Sequence, residues 1–441
     1  AAGPLPDHAM SADLRRLPPD ALDMPPEQIA ARFRWARERG HPAYLWPDVP
    51  VARWRAALDA IERAASDLLA AEPRPARLVA PADDLLALSV AAYTSGLGPY
   101  LGRAVEAGRL EVDDDVAALL RIHLDHARRR ARRLDAELSR AIDTLARAGI
   151  PATVLKSAHT ARAYFPEPAT RPAADLDLAV PTGDFAAAER ALLDAGYTLQ
   201  KRQPYPRQST WIPPGAPTQL RSLALVHAED PYTLDLHASL DRDFFGIRTV
   251  RFGPLDGGTR PWPAVHPAAR TLAQPLLLAY LAVHASQGLH NLTLLRLVEI
   301  VLVARADAAA GRLLWPELIA CLERADALRF AYPALELAER LAPGTVDPDA
   351  RAALAAAATP RTIRVLAGLR PAHAQRPEQF SLAERIMWAR GPVEHLRRVL
   401  YMIWPLWIGA SFGELRRLYA ERLRRLLRGA AAWRNGVGLT R

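Results

Sequence analysis

The apolar residues of this chain change their period at Ile150, and few architectures accommodate such a change. From Pro26 to about Gly149 they recur three and four positions apart, as in Ile61, Ala65, Leu68 and Leu69 and again in Leu134, Leu138, Ile142 and Leu145. That spacing lines one face of an α-helix. One long helix is expected from about Asp113 to Ala148, with Arg128, Arg129, Arg130, Arg132 and Arg133 on what reads as a solvated face. After Ile150 short apolar runs alternate with proline and glycine turns, and the stretches 152–155, 176–180, 197–200, 220–226 and 232–236 read as strands. A helix over Phe185–Ala195, closed by Gly196, interrupts them. The polar, proline-rich stretch from Gln203 to Pro217 reads as a loop. Beyond Pro267 the helical period returns to about Arg428, broken at Pro316, Pro343, Pro360, Pro371 and Pro392. The expected fold class is α+β, a small mixed sheet flanked by helical regions. Its divisions are a disordered or vector-derived N-terminus over 1–25, a helical region over 26–149, an α/β core over 150–263 and a helical region over 264–441.

Chemistry concentrates in the central part. In Asp175-Leu-Asp177-Leu-Ala-Val180 the two aspartates are one residue apart on a strand, so both side chains point to one face while the apolar residues point to the other. Adjacent carboxylates repel unless a cation lies between them. A second strand, Thr233-Leu-Asp235-Leu-His237, carries a third aspartate on its polar face. His237 is expected on the opposite face, in a supporting role. Upstream, Thr153-Val-Leu-Lys156-Ser157-Ala158 reads as a strand running into a helix start, where small residues let backbone N–H groups approach a phosphate. Oxygen ligands in this arrangement suit Mg²⁺, which binds through a few carboxylates plus substrate phosphates.

Composition sharpens this in one respect. Of the 57 basic side chains only Lys156 and Lys201 are lysine, so a lysine kept at the strand–helix turn suggests a need for a compact point charge. The net charge of +9 admits an anionic partner but is spread over many helices. The single cysteine, Cys321, excludes an intramolecular disulfide and a Cys-rich zinc site. The longest apolar stretch, Val399–Phe412, is shorter than a bilayer span and contains Pro405, so it reads as a buried helix or turn. With no signal pattern at the N-terminus, a cytoplasmic protein without membrane association is expected.

Taken together, Lys156-Ser157, Arg171, Asp175-Leu-Asp177-Leu-Ala-Val180, Gly196-Tyr197 and Leu234-Asp235-Leu-His237 resemble the LKG…R…DIDLLV…GY…LH pattern of the uncharacterised bacterial nucleotidyltransferases of the DNA polymerase-β superfamily. The likeness runs from about residue 80 onward and takes in the helix Leu277–His284 and Arg296-Leu-Val-Glu299-Ile. Ser157 stands where that family usually has glycine, and Glu299 where it often has aspartate. The resemblance implies a polymerase-β-like mixed sheet and transfer of a nucleoside monophosphate from a nucleoside triphosphate to an acceptor hydroxyl, with pyrophosphate released. Asp175, Asp177 and Asp235 would bind Mg²⁺ or Mn²⁺ and serve catalysis, while Lys156, Ser157, Arg171 and His284 would hold the nucleotide. The acceptor is open between a small molecule, a modified-peptide precursor and RNA. The alternatives are a degenerate nucleotide- or peptide-binding scaffold and a toxin-like transferase acting on tRNA.

Overall fold

The computed structural model describes residues 22–403 other than 40–44, 73, 82–83, 204–206, 256 and 375–385, together with 413, 416, 419, 420 and 423. The expected disordered start, up to residue 21, and most of the chain after Ile403 lie outside the described residues.

The helical period before Ile150 builds α1 (Pro26–Arg39), α2 (Val51–Leu68), α3 (Leu85–Ser95), α4 (Gly98–Glu106) and α5 (Asp114–Arg147). The ends of α5 follow from its sequence. The Asp113 carboxylate accepts the Val116 N–H at 2.8 Å, and Asp114 and Asp115 place negative charge at the positive end of the helix dipole. Gly149 then takes φ +72°, which ends the helix. Its length serves two cores. Val116, Leu119 and Leu120 pack among the other helices, while Leu134, Leu138, Ile142 and Leu145 cover one face of the central sheet. The arginine run between these halves is a solvated face only in part, with Arg129 and Arg132 exposed and Arg130 buried. Arg130 is 3% exposed and spends its guanidinium on three backbone carbonyls, those of Ala173, Asp230 and Pro231. Arg128 pairs with Glu106 and Glu167, and Arg133 with Glu229.

The central sheet has seven strands. They are β3 (Thr153–Val154), β4 (Asp175–Ala179), β5 (Thr198–Gln203), β6 (Gln208–Ile212), β7 (Thr233–His237), β10 (Thr259–Pro261) and β11 (Arg270–Leu272), in the order β10-β11-β3-β4-β7-β6-β5. Two strand pairs stand apart from it, β1 (Ala76–Arg77) with β2 (Leu110–Glu111) and β8 (Arg242–Phe244) with β9 (Arg248–Val250). The sheet is mixed, with β4 parallel to β7 and antiparallel to β3. A short helix, α6 (Ser157–Ala163), follows β3, and α7 (Phe185–Asp194) follows β4.

Two expectations from the sequence fail here. Residues 220–226 form no strand, because their backbone acceptors are taken by side chains of the N-terminal region: Trp46 Nε1 donates to the Leu223 carbonyl at 2.6 Å and Ser89 Oγ to that of Ala224 at 3.0 Å. The expected loop from Gln203 to Pro217 contains β6, where Gln208–Ile212 is free of proline and pairs on both sides, with β5 and β7.

Helices α8 (Leu276–Gln287), α9 (Leu294–Ala309), α10 (Trp315–Arg324), α11 (Leu328–Leu341), α12 (Pro348–Ala357) and α13 (Pro360–Ala367) follow, then a last described helix over Gly391–Ile403. Pro316 and Pro360 lie in first turns, where the missing N–H costs nothing. These helices share one apolar core with α2 to α5, so Ile61 and Leu88 belong to the same buried cluster as Leu297, Val301, Phe330 and Leu337. Val399 and Leu400 are not buried as expected. They are 44% and 53% exposed on the last helix, whose sequence is amphipathic and packs only one side. No helix among the described residues is long and apolar enough to cross a membrane.

Candidate active site

The register of β4 against β7 decides which side chains meet. Asp175 stands beside Thr233, Asp177 beside Asp235 and Ala179 beside His237. Because the strands are parallel and in step, these odd-numbered residues share one face of the sheet. On the other face Leu176, Leu178, Leu234 and Leu236 are at most 2% exposed and pack with Leu138, Ile142, Phe185 and Leu192 of α5 and α7. The apolar half of each strand thus fixes the register, and a one-residue slip would bury carboxylates in that core.

His237 therefore does not point away from the third aspartate, as expected from the sequence. Residues 235 and 237 are two apart and alternation places them together. His237 Nε2 lies 3.1 Å from Asp177 Oδ1, and ligand atoms of Asp177, Asp235 and His237 all lie within 4.8 Å of one another. Asp175, on the same face, borders the adjoining cavity.

The remaining contacts set the charge states of this cluster. Lys156 closes β3 with φ +28°, a conformation that L-residues avoid, and its Nζ lies 3.0 Å from Asp177 Oδ2. Burial by itself would raise the Asp177 carboxyl, but the Lys156 ammonium and the bond from His237 hold it well below the usual carboxylate range. For Lys156, burial would lower the ammonium, yet Asp177 and Asp175 outweigh it and raise it. Asp235 moves the other way. Burial and then the Asp177 charge push it up, against the opposing effects of the Thr210 hydroxyl and His237, and Gln208 Nε2 donates to its Oδ2 at 2.8 Å. Its Oδ1 is buried with no hydrogen-bond partner among the described residues. A firmly ionised carboxylate beside a more basic one, with an acceptor atom left open, matches what a divalent cation and a proton acceptor need.

Next to this cluster lies a cavity of about 500 Å³, the size of a nucleotide-class ligand site. Lys156, Ser157 and Asp175 border it from the sheet, Trp46 and Tyr93 from the N-terminal region, and His284 from α8. Ser157 and Ala158 begin α6, ahead of the first intrahelical bond, His159 N–H to the Lys156 carbonyl at 2.9 Å. His284 is held well below the usual histidine range, first by burial and then by the positive charges of Lys156, Arg242 and Arg296, so the ring is neutral. Arg171 also borders the cavity, but its guanidinium is engaged. It donates from Nε to Glu299 Oε1 at 2.9 Å and from Nη2 to Oε2 at 2.8 Å, a buried bidentate pair that Thr160 joins through its hydroxyl.

Of the residues singled out in the sequence, Asp177 and Asp235 meet across the β4–β7 pair, while Asp175, Lys156, Ser157, Arg171 and His284 border the cavity. The sequence reading missed His237 as a member of the cluster, although its spacing of two from Asp235 was the signal. It also missed the pairing of Glu299 with Arg171 and the contribution of Trp46 and Tyr93, for which no local signal exists.

Residues 81–343 match the family model described as "Uncharacterised nucleotidyltransferase", which spans well over half of the chain, from just before α3 to just after α11. No curated protein and no solved structure matches the chain.

Proposed function

Because the chain belongs to the uncharacterised nucleotidyltransferase family, we propose that it transfers a nucleoside monophosphate from a nucleoside triphosphate to an acceptor hydroxyl, on a polymerase-β-like sheet, releasing pyrophosphate. The observation that carries this reading is the pairing of Asp177 with Asp235 across parallel strands, beside a lysine at a strand–helix turn and a cavity of nucleotide size.

The residues fit a divalent cation. Asp177 and Asp235 offer carboxylate oxygens on one face, and the open Asp235 Oδ1 is a buried acceptor awaiting a positive partner. Mg²⁺ or Mn²⁺, when bound, would neutralise triphosphate charge and lower the pKa of the attacking hydroxyl. The Lys156 ammonium compensates Asp177, and once that compensation is supplied otherwise it is free to turn to the triphosphate in the cavity. Asp235, the more basic carboxylate, takes the acceptor proton. His237 holds the Asp177 carboxylate in orientation. Arg171 and Glu299 join the turn before β4 to α9, so the cavity walls keep their spacing, and Arg171 also puts positive charge at the cavity edge. Trp46 and Tyr93 offer aromatic surface to the base. In this reading the stretches 26–149 and 264–441 wall the site built on the core 150–263.

The test is incubation of the protein with each nucleoside triphosphate, Mg²⁺ or Mn²⁺, and small-molecule, peptide and RNA acceptors. Pyrophosphate release together with a nucleotide-monophosphate mass increment on one acceptor supports the reading. No turnover with any of them, while triphosphate still binds, would favour a binding scaffold.

A further inference from the structure

Four cationic side chains border the cavity: Arg130, Lys156, Arg171 and Arg296. Three are engaged within the protein. Arg130 donates to the carbonyls of Ala173, Asp230 and Pro231, Lys156 faces Asp177, and Arg171 makes the bidentate pair with Glu299. Arg296 differs, since its guanidinium has no hydrogen-bonded or ion-paired partner among the described residues. It sits at the α8–α9 corner over Gly288, where an added Cβ would lie 3.3 Å from its Nη1. A guanidinium partly withdrawn from water with no hydrogen-bonded counter-charge is unfavourable, and burial followed by the like charge of Arg171 lowers its pKa, although the charges of Glu299, Asp175 and Asp177 act the other way.

The helix that carries it adds a second feature. Arg296 lies in the first turn of α9, and Thr293, Leu295 and Arg296 all border the cavity. Threonine is a favoured N-cap, yet Thr293 makes no side-chain capping bond at the start of this sixteen-residue helix, where the Arg296 N–H is bonded to the Thr293 carbonyl at 3.2 Å. An unpaired guanidinium and an uncapped helix N-terminus on the same wall both call for an anion.

We propose that Arg296, with the N-terminus of α9, binds the outer phosphates of the nucleoside triphosphate and so selects triphosphates over monophosphates. This rests on the nucleotidyltransferase reading. The nucleotide is favoured over an anionic acceptor as the source of the phosphate because Arg296 borders the same cavity as Lys156, Ser157 and Asp175.

The experiment is calorimetric titration of the wild-type chain, Arg296→Gln, Arg296→Lys and Asp177→Asn with Mg²⁺ plus nucleoside triphosphate, nucleoside monophosphate or inorganic tripolyphosphate. Arg296→Gln is expected to weaken triphosphate and tripolyphosphate at least tenfold while leaving monophosphate affinity within twofold, and Arg296→Lys, which keeps the charge, to recover part of the loss. Equal weakening of mono- and triphosphate would mean a structural role and overturn the proposal. If Arg296→Gln binds triphosphate like wild type and Asp177→Asn does not, the active-site reading survives and the Arg296 assignment fails. The same assignment fails if triphosphate affinity stays intact but turnover loses saturation by an anionic acceptor. If the wild-type chain binds no triphosphate, both fail together.

Discussion

Replacing Lys156 by methionine separates the charge of this residue from its packing. Methionine keeps most of the apolar stem but leaves Asp177, 3% exposed, with His237 as its remaining polar partner at this end. At the observed 3.0 Å and an effective dielectric of about 20, the lost attraction is roughly 5–6 kcal/mol gross. Removing one member of a buried pair costs about 3–5 kcal/mol net, and that range is the expected destabilisation in chelator. For a chain of 441 residues the unfolding entropy is on the order of 0.9 kcal/mol per degree, so cooperative unfolding would lower Tm by about 3–5 °C. The informative measurement is the same melt with millimolar Mg²⁺ or Mn²⁺. If the ammonium stands in for a cation at Asp177, added metal should raise Tm more in Lys156→Met than in wild type, where metal competes with the lysine. Identical metal-induced shifts in the two proteins would refute that reasoning, as would a variant that loses no stability in chelator.

Lys156→Arg should lower kcat/KM about tenfold, or about 1.4 kcal/mol of transition-state stabilisation, because a planar fork replaces a point charge at a strained turn. Steady-state kinetics check this, and a silent substitution would shift the phosphate-anchoring role elsewhere. Asp235→Asn should reduce kcat at least about a hundredfold while triphosphate affinity stays within a few-fold, since it removes the proton acceptor but leaves Asp177 and Lys156 in place. Glu299→Gln should destabilise the chain by about 3 kcal/mol at pH 7, as it leaves the buried Arg171 charge uncompensated. The Glu299 pKa is depressed, burial being outweighed by Arg171 and Thr160, so its stabilisation is full above the ordinary glutamate value of about 4.3 and is lost as pH falls through the lower folded value. Urea titrations from pH 7 downward should show the gap between wild type and Glu299→Gln narrowing below that point, and a gap independent of pH would contradict the assignment.

What the sequence made legible divides along a physical line. Periodicity belongs to one segment at a time, and so α5 was readable to within a residue at both ends and the faces of β4 followed from Asp175-Leu-Asp177-Leu. Register belongs to two segments. Alternation placed Asp235 on a polar face, yet nothing in Thr233–His237 says that this strand lies parallel to β4 with Asp235 opposite Asp177. The failures have the same origin. Residues 220–226 carry strand-like spacing, but whether they pair is decided by Trp46 and Ser89, which claim their carbonyls from far away in the chain. Gln208–Ile212 becomes a strand because β7 offers it an edge, which its proline-rich setting conceals. Within the arginine run of α5, Arg129 and Arg132 are exposed as expected, but Arg130 is buried because burial depends on what packs against it, here the backbone of Ala173 and of Asp230–Pro231. For the site this means that the carboxylates of the cluster, built on two neighbouring strands, could be anticipated, while His237 beside them was not. The rest of the cavity beside it could not, since Tyr93, Arg130 and Arg296 reach its walls from three separate helices. Residues proposed to perform chemistry were therefore easier to find than residues proposed to choose the ligand. The latter are where substitutions on α8 and α9 should change specificity while the carboxylates stay as they are.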